Sequence, residues 1–410
     1  MKKILAKFFI LFVVLMVGGL VALKTCSLLL ESSANQKVNT ELKKIDIQRI
    51  PIPEKVNIVG LGEATHGTRE LQELRISLIK NLVKSKNYRA VGIEVGYGEV
   101  SRINQYICGE VDDFQFQNPI NQTKEMRTIV NWLRNWNNTN RTNQVRIYGF
   151  DMQGSNISAD SILNAEKIGK IELSNDEKAN LEIIQKTKKV LDSNKAKIIF
   201  DDMHNIKKRV MKIDDSGDRF DLIMKINEVS QAMETWITNK EYNVARDRFM
   251  FENINKIITE ENSRGNKKII LLAHQTHLAK YNKDYKVVGR LLAEKYKKEY
   301  FSIGSNFFKG RVNIKLLGKD MRINVKLISL DRVSAQAKYS KNQSFYLNLN
   351  QNNESEKTNQ ILKNSWLINV GEGYNILMKL QPESYKMKAN VYKYFDGMVY
   401  YYETNPINPK

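Results

Sequence analysis

Four short apolar runs limit what this chain can fold into: residues 56–61 (VNIVGL), 90–95 (AVGIEV), 145–150 (VRIYGF) and 269–273 (IILLA). Each is brief, apolar on both faces and closed by a polar or Gly-containing turn, as expected of a strand buried in a largely parallel sheet. Amphipathic helices lie between them. Leu71, Leu74, Leu78 and Leu82 recur at helical spacing over about 68–86, and Met126, Ile129, Val130 and Leu133 over about 122–136. The alternation predicts an α/β fold, a mostly parallel central sheet flanked by helices. From about 155 to 264 no strand is expected, and helical periodicity predicts a helical insertion. Beyond 299 the pattern is β-like again (YFSIGSNFF, MRINVKLISL, GMVYYYET) around an Asn-rich loop near 340–360.

The chain has 410 residues, ample for such a core, and 42% hydrophobic with 27% charged residues rules out disorder of the whole. Its formal net charge is +20. The first 34 residues supply +3 of this (Lys2, Lys3, Lys7 and Lys24 against Glu31), so the excess belongs to the rest. The lysines are scattered and no nucleic-acid motif accompanies them, so no nucleic-acid partner is expected. With Cys26 and Cys108 as the only cysteines, no intrachain disulfide framework is expected in the folded part.

Lys2, Lys3 and Lys7 precede an unbroken apolar run over 8–23, FFILFVVLMVGGLVAL. That is the form of a secretory signal or an uncleaved anchor. Residues 1–30 are therefore expected to export the protein and to meet the membrane, leaving it anchored or extracellular in the cell envelope. Residues 31–48 read as a linker, and 49–410 as the folded domain.

The chemistry concentrates where the strands end. The first runs into Gly62-Glu63-Ala64-Thr65-His66-Gly67-Thr68-Arg69-Glu70, with Thr68 placed to cap the following helix. The second leads to Glu94, the third to Asp151, and the fourth to His274 and His277. In a parallel sheet these ionisable groups collect at one edge, where open α/β sheets bind ligands. The fourth histidine, His204, falls in the helical insertion and reads as a solvated or core residue.

A histidine suits general-base work near neutrality, and Glu63 or Glu94 can hold its tautomer. No serine lies in a Gly-x-Ser-x-Gly elbow and Cys108 has no base in its motif, so water is the expected nucleophile. His66 is the expected base, acting without a cofactor. The alternative is a divalent metal held by some of Glu63, His66, Glu94, His274 and His277. Arg69, Arg75 and Arg246 are candidates to bind an anionic oxygen or a substrate carboxylate, with Asp247 as a structural partner of Arg246.

The segment 62–70, followed in order by IEVGYGE, YGFDMQ, ARDRFMFENI, AHQTHLAK and YFDGMVYYYETNP, resembles the erythromycin esterase family over about residues 50–410. The resemblance implies a helical portion over a deep cleft and, in some members, hydrolysis of macrolactones by water that the histidine matching His66 activates. On it, Glu63, Glu94 and His274 join His66 as catalytic residues, and Arg69 and His277 bind a small ester or lactone; Asp151 and Arg246, from their place in the sequence, are the further binding candidates. The known macrolide-inactivating members are cytoplasmic, whereas this chain carries an export segment. A rival implication is ligand capture, of haem or a metal, in the same cleft.

Overall fold

The computed structural model describes residues 18, 24–25, 28–38, 42–117, 122–187, 189–238, 241–350, 355–379 and 381–408. The apolar run on which the export segment rests lies almost wholly outside them. Among the described residues no helix is long and apolar enough to cross a membrane.

The four apolar runs form β1 (Ile58–Glu63), β2 (Ala90–Gly96), β3 (Arg146–Asp151) and β4 (Ile269–His274). With β5 (Tyr300–Leu316), β6 (Arg322–Ile328), β7 (Ser344–Asn348), β9 (Gly373–Tyr374) and β11 (Gly397–Thr404) they build one sheet, ordered β3-β2-β4-β1-β5-β11-β7. Neighbours from β3 through β11 are parallel, and β7 closes that row antiparallel. The second half of β5 pairs antiparallel with β6, while β9 adds two residues to its end. A separate pair joins β8 (Ser365–Ile368) to β10 (Lys386–Ala389).

Both faces are covered, which explains the uninterrupted apolar runs. Along β4, Ile270 and Leu272 join one core with α1 (Arg69–Ser85), α2 (Tyr97–Cys108) and α3 (Lys124–Thr139). Ile269, Leu271 and Ala273 face the opposite way, as the two-residue period of a strand requires. Between β3 and β4 run α4 (Ser155–Lys167), α5 (Asn175–Lys186), α6 (Ser193–Val210), α7 (Ser216–Thr238) and α8 (Tyr242–Ser263). Four of them enclose a core of their own through Ile162, Leu181, Met203 and Ile226. The fifth, α8, instead packs Met250, Ile254 and Ile257 on the sheet beside α10 (Val288–Tyr296), which follows the short α9 (Gln275–Leu278).

Two expectations need correction. The Asn-rich loop near 340–360 contains β7, held because its backbone completes the antiparallel edge of β11. The expected linker over 31–48 is also, in its described residues, docked on the domain. Ile45 exchanges both backbone hydrogen bonds with Tyr346 (2.9 and 2.8 Å), and Gln336 binds Val38 N and Gln36 O. Those polar main-chain groups find partners on the domain instead of in water.

The loop after β1 is fixed by residues far along the chain. Ser305 Oγ donates to Gly62 O and accepts from Ala64 N, while Gly67 O accepts from both Asn313 N and Ile407 N. A Cβ on Gly67 would stand 1.8 Å from Asn313 O, a backbone atom that cannot swing aside. Gly67→Ala is therefore expected to lower stability by about 3 kcal/mol, the upper range for overpacking. Urea unfolding measures it, and a variant within 1 kcal/mol of wild type, roughly a surface effect, would contradict this packing.

Candidate active site

Glu63 is the last residue of β1 and pairs laterally with His274, the last of β4. Its Oε1 lies 2.6 Å from His66 Nδ1 and 2.9 Å from Arg75 Nη2. Because a carboxylate bridging two donors must accept from both, Nδ1 carries the imidazole proton. His66 Nε2 is then a lone-pair acceptor with no protein partner among the described residues. Burial pulls the His66 pKa down, but the Glu63 hydrogen bond and the charges of Glu63 and Glu94 outweigh it, and the net shift is upward.

The second cluster centres on Arg246, carried in by α8. Its guanidinium reaches Asp151 (2.6 Å) at the end of β3 and Glu94 (2.6 Å) near the end of β2. The β2–β3 register shifts between Ile93 and Gly96, an irregularity that aims Glu94 between its neighbours. Glu94 Oε2 takes the His274 backbone N–H (2.7 Å), and Oε1 lies 3.4 Å from His277 Nε2. Burial alone would raise Glu94, but His277, Arg246 and His66 hold it well below the usual carboxylate range. Behind His277, Asp247 accepts from its Nδ1 (2.9 Å), from Tyr285 and from Val288 N. Burial lowers the His277 pKa, but the Glu94 charge and then the Asp247 hydrogen bond outweigh it, and the net shift is upward.

His274 behaves oppositely. Its Nε2–H donates to Ala64 O (3.2 Å), so Nδ1 accepts from the Thr276 hydroxyl (2.7 Å). Burial, and then the neighbouring His66, pulls it down to about 3, leaving a neutral ring whose nitrogens are both used.

A cavity of about 580 Å³ opens over these groups, lined by Glu63, His66, Arg75, Glu94, Asp151, Arg246, His274 and His277 among others. Eight of the nine catalytic and binding candidates, Arg75 among them, thus meet at one place. Arg69 does not. It lies at the surface beside Glu70 and Glu73, and Arg75 occupies the cavity wall instead. At roughly 100° per residue, Arg75 falls on the stripe of Leu71, Leu74 and Leu78, whereas Arg69 falls on the opposite side. That offset was legible in the leucine spacing. Nor does Thr68 cap α1 with its side chain; Asn405 O receives Arg69 N, and Glu70 binds Asn405 in return. His204 is exposed on α6, away from the cavity.

Three of the five candidate metal ligands are committed to other partners. Glu94 is committed to Arg246, His274 uses both nitrogens, and His277 holds Asp247. Among the described residues no group of three His, Cys, Asp or Glu side chains is placed to share an ion.

Glu228 of α7 had no signal in the sequence, lying within a helix whose residues are buried nearly all round. Its Oε2 accepts from Gly98 N (2.9 Å) and the Ser158 hydroxyl (2.6 Å), while Oε1 is buried without a partner against Gly96 and Gly154. A Cβ on Gly96 would come within 2.3 Å of that oxygen. Burial, reinforced by Asp151 and Glu99, pushes Glu228 up to about 7 despite those hydrogen bonds.

Comparison with known proteins places this geometry in context. The family model described as erythromycin esterase matches residues 83–404, a range that holds Glu94, Asp151, Arg246, His274 and His277 but begins after Glu63 and His66. A Bacillus cereus protein of known crystal structure superposes with a TM-score of 0.71 at 21% identity, covering 93% of this chain and 98% of that one. A succinoglycan biosynthesis protein of known crystal structure gives 0.68 at 16% identity over 93% and 98%. The erythromycin esterase EreC, as a histidine-to-asparagine variant in its open conformation, gives 0.64 at 17% identity over 89% and 96%. At these identities the likeness is one of fold.

The Glu228 proton has a thermodynamic consequence. The folded state holds it between about 4.5, the ordinary value, and about 7, whereas the unfolded chain has released it. Stability must then fall as pH rises through that window, in total by on the order of 3 kcal/mol. Glu228→Gln carries no such proton. Its stability relative to wild type, from urea unfolding, should climb by that order between pH 5 and 7.5; a pH-independent difference would reject the shift.

Proposed function

The chain belongs to the erythromycin esterase family of hydrolases, and we propose that it cleaves carboxylic esters or lactones with water activated by His66. The observation that carries this reading is the short Glu63–His66 contact, which orients the ring and leaves Nε2 unengaged at the cavity. Water bound there gives its proton to Nε2 as it attacks the carbonyl, and Glu63 stabilises the imidazolium that forms. Arg75, held beside Glu63, supplies the positive charge for the developing oxyanion, a role open to Arg69, Arg75 and Arg246 on sequence alone. His277, held between Asp247 and Glu94, lines the cavity beside the substrate. His274 acts by shape and by neutrality, closing the wall between Ala64 and Thr276. The basic N-terminus and apolar run over 8–23 support action on the outer side of the membrane, either anchored to it or released.

A hydrolysis screen of the domain against macrolides and diverse esters, with and without chelator, tests the reading. His66→Ala should lower turnover by about 10²–10⁴, the usual worth of a positioned base. The base works only when neutral, so kcat/KM should rise with pH and level off above an inflection higher than 6.5. Glu63→Gln removes the charge that raises the pKa and should move that inflection to lower pH. Turnover retained by His66→Ala would reject the assignment, and loss with chelator would favour a metal.

A further inference from the structure

The cavity walls are poorly made for an apolar ring. Ile93, Val95, Met126 and Leu272 are its apolar side chains, and Ile93, Met126 and Leu272 are already buried in the core beneath. An apolar ligand gains only about 25 cal/mol per Å² removed from water, whereas each polar group it strips of water without replacement loses about 1–3 kcal/mol.

The polar wall has unused capacity on three separate segments. Gln72 of α1 has a side-chain amide with no partner among the described residues. Asn369, after β8, has a buried Oδ1 without a partner. Gln153, after β3, spends Nε2 on the Tyr242 hydroxyl (2.8 Å) and keeps Oε1 unengaged. Amides both donate and accept, as alcohol hydroxyls do, so vicinal hydroxyls complement such a wall.

Charge narrows the class further. Five carboxylates line the cavity, on Glu63, Glu94, Glu99, Asp151 and Glu372, against the guanidiniums of Arg75 and Arg246. Both guanidiniums are already paired, Arg75 with Glu63 and Arg246 with Asp151 and Glu94. No uncommitted arginine remains to receive an acidic group. A volume of about 580 Å³ is within the range that holds a ligand of about disaccharide size.

We infer that the substrate is an O-acyl ester of a neutral, hydroxyl-rich sugar, gripped by Gln72, Gln153 and Asn369. This rests on the hydrolytic reading of the site and names its substrate class. The test is calorimetric titration of the full chain carrying His66→Ala with three probes. These are mono-O-acetylated cellobiose, the same ester of its uronic-acid counterpart, and a macrolide. The neutral sugar ester should bind at least about tenfold more tightly than either other probe, a difference of about 1.4 kcal/mol. Gln72→Leu and Asn369→Leu, added singly and shown to be folded by circular dichroism, should each weaken it about tenfold, again about 1.4 kcal/mol. A macrolide that binds as well as the sugar ester, a sugar ester that does not bind, or binding indifferent to both substitutions would overturn the inference. Turnover by the wild-type chain is read separately. Sugar-ester binding without any ester turnover would remove the hydrolytic reading alone, and turnover confined to apolar esters would remove the substrate class alone.

Discussion

A buried arginine holds the site together. Asp151 and Glu94 end neighbouring strands and would repel each other if buried side by side; Arg246 enters between them from α8 and bonds to both. Removing one partner from such a set costs about 3–5 kcal/mol, because a charge is left buried without compensation. The same contact sets the placement of α8 on the sheet. It thereby positions the next residue, Asp247, which reaches His277. One ion-pair network thus couples the helical layer to the strand ends and decides where the remaining charges sit.

Three histidines lie in a row here, with ring centroids 5.6 Å apart from His66 to His274 and 6.5 Å from His274 to His277. Their protonation differs because their partners differ. The outer two have carboxylates at Nδ1 and shift upward; the middle one has a carbonyl and a hydroxyl and is driven down to about 3. A neutral spacer between two readily protonated rings limits their mutual repulsion, so both can titrate above the ordinary histidine value inside one cavity.

Much of this was legible in the sequence, because an apolar strand that stops at a polar residue announces the edge of a sheet. Glu63, Glu94, Asp151, His274 and His277 could be gathered at one edge for that reason alone. The leucine spacing of α1 contains its rotation against the sheet, which turns Arg75 to the cavity and Arg69 to the surface. Glu228 could not be found, since nothing distinguishes a buried carboxyl on a helix from a solvated one until its neighbours are known. β7 was missed because an edge strand is defined by the strand it joins, here β11. The attachment of Gln36, Val38 and Ile45 depends likewise on Gln336 and Tyr346, about 300 positions away.

The loop carrying His66 is fastened by Ser305, Asn313 and residues 405–407, all far downstream of it. Synthesis proceeds from the N-terminus, so the histidine exists long before the groups that orient it. A nascent or clipped chain lacking those residues has the cavity's side chains without the frame that orients them. Assembly of the site is thereby a timing event, tied to the arrival of the sheet's distal strands.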